Sequence, residues 1–278
     1  MEKEDVIIER NEKKFIRLYH FMPAAHFLDV LEKDEIKISL PEECNDPLEF
    51  LPAEGKKGEG ALRPEGGFIS FSERFDNSLM WAHYADSHRG VCLEFTFPVL
   101  ELGRLRTKLR GQVKETTSYA TIAIDRNHIH QYSYLAPDLK RAIAVEVAYR
   151  KSRPLHDNFV TFASYGSNKA IITLNIAAEI YTKALEWKYE KEWRMLVSPA
   201  SAQGYHDGCF FVTGLTKYLS SVILGTRFDK GTRETWRYVY QSLKRNPHYM
   251  AKMHDIHKII DMYRAVYAPR EYKIEKSR

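Results

Sequence analysis

The chain has 278 residues, of which 44% are hydrophobic and 28% charged, and its formal net charge is +5. This length permits a substantial core, and the composition excludes a disordered or fibrous protein. We expect a single elaborated α+β domain over residues 1–278. We also expect a cytoplasmic protein that makes no membrane contact, because no secretory signal pattern and no bilayer-spanning apolar run occur.

The first third of the chain alternates between helix and strand patterns. Residues Pro23 to Lys33 predict a helix that starts at a proline. Alternating apolar residues over Ile36–Leu40 predict a strand that Pro41 ends. The stretch 52–67 is rich in Gly, Pro, Glu and Lys and predicts a mobile loop. A strand is predicted next, over 66–73.

A second helix and a further strand are predicted after this loop. Asp76 is a favourable N-cap for a helix that runs through Tyr84 and that Gly90 ends. The alternation over Val91–Phe97 predicts a strand with one apolar face, which Pro98 closes.

The remaining two thirds contain more strand patterns than helix patterns. Helical fragments are expected around 100–114, a strand over Ile143–Tyr149, and a long helix where apolar residues recur from Ala170 to Leu185. The segments GCFFVT, SVILGTR and MYRAVYA predict strands, and 229–244 predicts a helix. Strands in runs with helices inserted between some of them indicate an α+β fold with mixed, mostly antiparallel sheets.

The segment WKYEKEWRML carries the strongest candidate site. A strand that starts near Tyr189 would place Glu190, Glu192 and Arg194 on one face. A rigid strand is a good platform for a catalytic carboxylate. The alternative is an exposed surface ladder in which Arg194 pairs with either glutamate, an arrangement of small energetic weight.

Two further regions are dense in polar and aromatic side chains. His20, beside Tyr19 in RLYHF, lies near the end of an early strand, although a lone histidine is more often a core residue. The segment FISFSERFDNSLMWAHYADSHRG can hold a planar ring. Trp81 is favoured as a core residue, and Tyr84 is left open between ligand contact and core. The candidate binding residues of this segment are Ser70, Ser72, Trp81 and Tyr84.

The sequence has no strong metal or nucleotide motif and one basic stretch that could contact nucleic acid. Cys44, Cys92 and Cys209 are widely spaced, so we expect reduced thiols and no metal site. Arg104 to Arg110 places a positive charge at every second position, which fits a solvated face or a phosphate-tracking one. No GxGxxG, GxxxxGK[ST] or GxSxG motif occurs.

Several sequence blocks together resemble a bacterial family known as domain of unknown function 2971. These blocks are LYHF, SLPEECNDPLE, FSERFDNSLMWAHYADSHRGVCLEF, KYEKEWR and SVILGTR, and they span most of the chain. Cys44 departs from the family pattern, which has Phe before Asn-Asp-Pro.

The order of an early His, a middle Ser/Tyr block and a late Glu also resembles the ADP-ribosyltransferase superfamily. That resemblance implies an ADP-ribosyltransferase-like fold and a glycosyltransferase reaction that uses NAD as a substrate and needs no metal. It implies that His20 anchors the NAD ribose, that Tyr84 or Ser72 contacts the nicotinamide side, and that Glu192 is catalytic, with Glu190 as the first member of an E-x-E pair. Tyr19, Ser70, Trp81 and Arg194 would complete the cofactor-binding set.

The expected function is transfer of ADP-ribose from NAD to a macromolecular acceptor, either protein or nucleic acid. A carboxylate can stabilise the positive charge that develops on the ribose when the nicotinamide bond breaks. One alternative is a non-catalytic nucleotide-sensing or partner-binding module in which Glu192 pairs with Arg194. Another is a nucleic-acid-acting enzyme such as a nuclease, suggested by 104–110 with His128 and His130.

Overall fold

The computed structural model describes residues 6–50, 67–109, 112–123, 141–154, 159–165, 171–197, 204–229, 237–239, 241 and 260–278. Apart from Gly67, the loop predicted over 52–67 lies outside these ranges. Most of the helix predicted over 229–244 also lies outside them, as do His128 and His130. Within the described ranges, no helix combines the length and the apolar character that a membrane crossing requires.

The described residues form an α+β fold of mostly antiparallel sheet with few helices, as predicted. The helices are α1 (Ala24–Lys33) and α2 (Ser78–Tyr84), and residues 237–239 and 241, within the helix predicted over 229–244, are also helical. Short 3₁₀ turns lie at Pro41–Glu43, Ala178–Tyr181, Leu185–Glu190 and Thr216–Tyr218. The strands are β1 (Ile7–Arg10), β2 (Lys13–Met22), β3 (Ile36–Lys37), β4 (Gly67–Ser72), β5 (Val91–Leu109), β6 (Gln112–Ala123), β7 (Arg141–Glu146), β8 (Ala148–Arg150), β9 (Phe159–Tyr165), β10 (Ile171–Ala177), β11 (Thr182–Ala184), β12 (Glu192–Val197), β13 (Gly204–His206), β14 (Cys209–Val212), β15 (Leu219–Leu224), β16 (Asp261–Tyr267) and β17 (Ile274–Ser277).

Contacts between residues divide the chain into two compact units. The first unit comprises Met1–Lys37, Phe71–Pro98 and Phe211–Arg278, and the second comprises Ile38–Ser70 and Val99–Phe210. Each unit is therefore assembled from segments that are distant in sequence.

The first unit begins with a hairpin of β1 and β2. Its turn residues, Asn11 and Glu12, both have positive φ, as a two-residue turn matched to the strand twist requires. β2 pairs with β4 at Tyr19 and Ser72. β5 pairs with β15 antiparallel, β15 with β16 in parallel, and β16 with β17 antiparallel. Trp81 from α2 is fully buried in this unit.

The second unit is built on antiparallel strands around the central pair β12 and β7. β7 also pairs with β6, and β6 pairs with β5 in a long hairpin. β9 pairs with β10 and β5, while β11 pairs with β8 in parallel. The apolar core of this unit comprises Phe50, Phe68, Tyr119, Ile143, Val145, Tyr181 and Leu196.

Several predicted elements match the structure. The helix predicted from Pro23 is α1, and the strands predicted at 66–73 and in MYRAVYA are β4 and β16. All three cysteines are free thiols, as expected. The strand predicted over Ile36–Leu40 is shorter, because β3 covers two residues and Ser39 forms an isolated bridge with Phe68.

Two helix predictions were wrong because period-two patterns outweighed helical spacing. The described residues of the region around 100–114 lie in β5 and β6, and a charge at every second position of the sequence is typical of a strand. The region from Ala170 to Leu185 contains β10, β11 and 3₁₀ turns instead of a long helix. β10 opens with Ile171, Ile172 and Thr173, whose branched Cβ atoms favour an extended backbone.

Three predicted boundaries also need correction. Asn77, not Asp76, caps α2: its Oδ1 accepts from the Leu79 N–H at 2.9 Å, whereas Asp76 pairs with Arg74. Helix α2 ends at Tyr84, well before Gly90. Strand β5 continues through Pro98, which lies between the residues paired with β15 and those paired with β6, where a missing N–H is tolerated.

Candidate functional site

The KYEKEWR segment changes conformation in its middle. Tyr189 and Glu190 belong to a 3₁₀ turn, Lys191 has a left-handed φ of 48°, and β12 begins at Glu192. The strand predicted from Tyr189 is therefore wrong in its start. Glu192 and Arg194 still share one face of β12 through strand alternation, but Glu190 reaches the same region from the turn.

The Arg194 guanidinium is held by side chains and a backbone carbonyl of the second unit. Its Nε and Nη2 donate to the two carboxylate oxygens of Glu192 at 2.9 and 3.1 Å. Its Nη1 donates to the Ile180 carbonyl at 2.7 Å, and Nη2 also contacts a Glu49 oxygen. Arg194 is 1% exposed. The alternative of an exposed ladder is thus wrong, because the Arg194–Glu192 pair is buried.

Two neighbouring aromatic rings pack against the same guanidinium. The Arg194 Cζ lies 4.9 Å from the ring centroid of Phe50 and 4.5 Å from that of Phe68. Cys44 packs against the apolar core that contains these rings, and burial raises the pKa of its thiol to about 12. Cys44 therefore contributes a neutral thiol to the apolar surroundings of this guanidinium.

Lys183, on β11, is the second cation of the cluster. Its Nζ lies 2.6 Å from Glu190 Oε2, 3.4 Å from Glu192 Oε2 and 3.5 Å from Glu49 Oε2. Burial alone would lower the pKa of Lys183, but the three carboxylates outweigh burial and raise it. Three carboxylates against two cations give a formal charge of 2 − 3 = −1. We call these five residues the buried ion cluster.

Glu192 lies at the centre of this cluster. Its Oε1 accepts from the Ser70 hydroxyl on β4 at 2.7 Å, and its backbone N–H donates to the Tyr149 hydroxyl oxygen at 2.8 Å. Burial alone would raise the pKa of Glu192, but the charges of Arg194 and Lys183 and the bonds from Arg194 and Ser70 lower it. Glu192 is therefore a fixed carboxylate anion at neutral pH.

A short acidic segment places Glu49 in the cluster. The Asp46 carboxylate accepts from the Leu48 N–H at 2.9 Å and from Trp187 Nε1 at 3.0 Å. These bonds fasten the turn before Glu49 to the 3₁₀ turn that carries Glu190. Sequence reasoning missed Glu49, although it ends the block SLPEECNDPLE. It also missed Lys183, which had no signal because it fell within a predicted helix.

The predicted site residues are distributed over both units. Ser70, Glu190, Glu192 and Arg194 meet in the buried ion cluster of the second unit. The remaining predicted residues belong to the first unit: Tyr19, His20, Ser72, Trp81 and Tyr84.

The first-unit residues have local partners. Trp81 is a core residue, as favoured, and its Nε1 donates to the Phe75 carbonyl at 2.6 Å. The half-buried ring of His20 lies 5.7 Å from that of Phe71. The Ser72 hydroxyl accepts from the Arg74 N–H at 3.1 Å.

The chemistry available to the cluster is that of an oriented anion. In the part of the chain that the structure describes, no group of three or more His, Cys, Asp or Glu side chains has the arrangement of a metal site. The carboxylates instead face Lys183 and Arg194, so the cluster can act electrostatically or as a buried structural network.

Comparison with known proteins gives one match. The model of the family described as "Protein of unknown function (DUF2971)" matches residues 80–195, which supports the predicted family resemblance. The matched region contains Lys183, Glu190, Glu192 and Arg194, whereas Glu49 and Ser70 precede it. No curated protein and no solved structure matches the chain.

Proposed function

We propose that the chain transfers ADP-ribose from NAD to a macromolecular acceptor, with an ADP-ribosyltransferase-like fold and with Glu192 as the catalytic carboxylate. The observation that carries this proposal is the hydrogen bond of 2.7 Å from the Ser70 hydroxyl to Glu192, inside a cluster whose formal charge is −1. A preorganised anion stabilises positive charge more effectively in a buried site than in water.

The reaction breaks the bond between the nicotinamide nitrogen and ribose C1, and the bonding electron pair leaves with nicotinamide. Positive charge develops on the ribose, and Glu192 stabilises it through the 2′-hydroxyl. A nucleophilic atom of the acceptor then bonds to C1 and loses its proton. Water in the place of the acceptor gives NAD hydrolysis.

Ser70 marks the place where a substrate hydroxyl would bind. It is half-buried, and its hydroxyl already donates to Glu192 Oε1. A ribose 2′-hydroxyl that displaced it would replace one O–H donor by another, so the carboxylate would keep its hydrogen-bond count. The bonds from Arg194 would keep Glu192 in place during this exchange.

Glu190 is proposed as the base that receives the acceptor proton. It lies two residues before Glu192 but in a 3₁₀ turn, and its Oε2 is 2.6 Å from Lys183 Nζ. Base catalysis requires hydrogen-bond reach to the acceptor, which the turn would allow from a direction different from that of β12.

A second candidate function is supported by the hydrogen bonds that Glu192 already accepts from protein side chains. Its two oxygens already accept from Ser70, Arg194 and Lys183, and the residue is 5% exposed. These contacts favour a structural role for Glu192 in a non-catalytic nucleotide-sensing or partner-binding module.

The decisive experiment follows nicotinamide release and transfer of label from labelled NAD, in cell lysate, to protein or nucleic acid. Glu192→Gln should reduce transfer by roughly a hundredfold or more. Glu49→Gln is the matched control, since it makes the same change in the same cluster without altering the proposed catalytic group, and it should keep most activity.

The results distinguish the candidates. NAD binding by the wild-type protein without nicotinamide release in any lysate would support the binding module and overturn the transferase proposal. Equal loss of transfer in Glu192→Gln and Glu49→Gln, with equal loss of thermal stability, would show that the cluster acts through folding and would also count against a catalytic Glu192.

A further inference from the structure

A cage of aromatic rings surrounds a lysine ammonium in the first unit. Lys276 Nζ lies over the rings of Tyr19, Phe75 and Tyr263, at 5.3, 4.6 and 5.2 Å from their centroids. Three ring faces within about 6 Å of one cation match the geometry of strong cation–π binding. The three rings come from β2, the turn after β4, and β16.

A buried carboxylate completes this cage. Glu94 Oε2 contacts Lys276 Nζ, and the Arg17 Nε lies 3.5 Å from Glu94 Oε1. The Ser221 hydroxyl donates to Glu94 Oε2 at 3.0 Å, and the Ser220 hydroxyl donates to the Glu94 backbone carbonyl at 2.9 Å and lies 3.2 Å from Oε1. Glu94 is 8% exposed, and its serine bonds hold the carboxylate in place independently of Lys276.

The lysine lies on a short strand at the end of its sheet. β17 has four residues, pairs with β16, and ends the order of hydrogen-bonded strands in its sheet. Its release would break this ladder and the 2.8 Å bond from the Ile274 N–H to the Asp76 carbonyl, and would expose the buried Ile274 side chain. The four groups around the ammonium would stay, because they belong to other elements. An edge strand of this kind is replaceable by an added extended segment.

We propose that Tyr19, Phe75, Tyr263 and Glu94 form a binding site for an alkylammonium group, and that Lys276 occupies it as a displaceable internal ligand. The ligand class is a primary ammonium on an alkyl chain, carried either by a free amine or by a lysine of an extended peptide. This site is separate from Glu192 and does not depend on the transferase proposal.

The ligand class follows from the lining. The ring faces attract a cation and the carboxylate supplies one charged acceptor, so an ammonium with a slender apolar stem satisfies both. A guanidinium or a metal ion fits this lining less well, since three of the four lining groups are carbon rings.

The first test uses Lys276→Ala, which removes the three terminal carbons and the ammonium of the lysine side chain. Propylammonium replaces those atoms and should bind saturably and raise the thermal unfolding midpoint of this variant, whereas 1-propanol and potassium chloride should not. Lys276→Met fills the cage with an uncharged side chain and should show no shift. Lys276→Ala with Glu94→Gln should bind about tenfold more weakly or worse.

The second test uses the wild-type protein and separates the two ligand sources. A peptide with the sequence of residues 272–278 and free propylammonium are added separately, and amide hydrogen exchange is measured over Ile274–Ser277. Faster exchange with the peptide alone assigns the site to an extended segment, and faster exchange with the amine alone assigns it to a free amine.

Either of two results would overturn the proposal. One is a folded Lys276→Ala variant that responds to propylammonium no more than Lys276→Met does. The other is unchanged exchange over Ile274–Ser277 at saturating peptide and amine, which would make Lys276 a permanent structural residue.

Discussion

Replacing Arg194 by methionine tests how much the buried ion cluster contributes to stability. The change removes the two bonds to Glu192, the bond to the Ile180 carbonyl and the contact with Glu49. Methionine retains an unbranched apolar side chain against Phe50 and Phe68, so little packing is lost. The formal charge of the cluster falls from −1 to −2, with Lys183 as the remaining cation.

The expected loss is about 3–5 kcal/mol in the free energy of unfolding, the usual cost of removing one partner from a buried ion pair. This is a large share of the roughly 5–15 kcal/mol that stabilises a typical domain. Urea unfolding followed by circular dichroism measures the loss. Lys14→Met is the comparison, because its bridge to Glu9 is 3.4 Å long and exposed, and it should cost less than about 1 kcal/mol.

A double-mutant cycle identifies the source of the loss. If the uncompensated Glu192 carboxylate causes it, Arg194→Met with Glu192→Gln should be more stable than Arg194→Met alone, with a coupling energy of about 1–3 kcal/mol. An Arg194→Met protein within about 1 kcal/mol of wild type would refute this reasoning. That result would mean that water or local rearrangement compensates the charge of the Glu192 carboxylate after Arg194 is lost.

Three further predictions follow from individual residues. The pKa of Glu192 is lowered from 4.5 to about 2 in the folded state, so its stabilisation is present above pH 4.5 and is lost toward pH 2. Urea titrations should therefore show the stability gap between wild type and Glu192→Gln closing over that range. The Cys44 thiol, with a pKa of about 12, should be alkylated at least about a hundredfold more slowly than an exposed thiol at pH 8, as measured by mass spectrometry. Gly225→Ala would drive its Cβ into the His88 carbonyl and should cost about 2–3 kcal/mol, whereas Gly208→Ala meets no atom within 4 Å and should cost about 1 kcal/mol through its positive φ, both by thermal unfolding.

The predictions succeeded where a single local pattern determines the structure. The alternation in MYRAVYA and the proline at the start of α1 each specify one element, and both elements are present. The pairing of β5 with β6 was missed because a single strand of mixed polarity has a weak local signal. The predicted strand likewise ended at Pro98. The structure continues β5 because its partner changes there from β15 to β6, a tertiary feature that local patterns do not report.

The candidate site was partly predictable for the same reason. Glu192 and Arg194 share a strand face, and alternation alone brings them together. Ser70 and Glu49 contact this pair although each is more than 100 residues away in sequence. Spacing patterns within one element cannot predict such contacts. The alternative of an exposed ladder was wrong because the cations that compensate these carboxylates come from both β11 and β12, and Lys183 on β11 gave no sequence signal.

Stability and activity measured on the same variants separate the two roles proposed for Glu192. As a structural partner of Arg194, Glu192 would affect transfer only through the folded fraction, so transfer and unfolding free energy would fall together in Arg194→Met, Glu49→Gln and Glu192→Gln. As a catalytic anion, it would lose transfer in Glu192→Gln at temperatures where the protein is fully folded. Glu49→Gln would then stay active despite a similar loss of stability, because an amide at position 49 leaves the carboxylate that faces Ser70 unchanged. The ratio of transfer activity to folded fraction is thus the quantity that assigns Glu192.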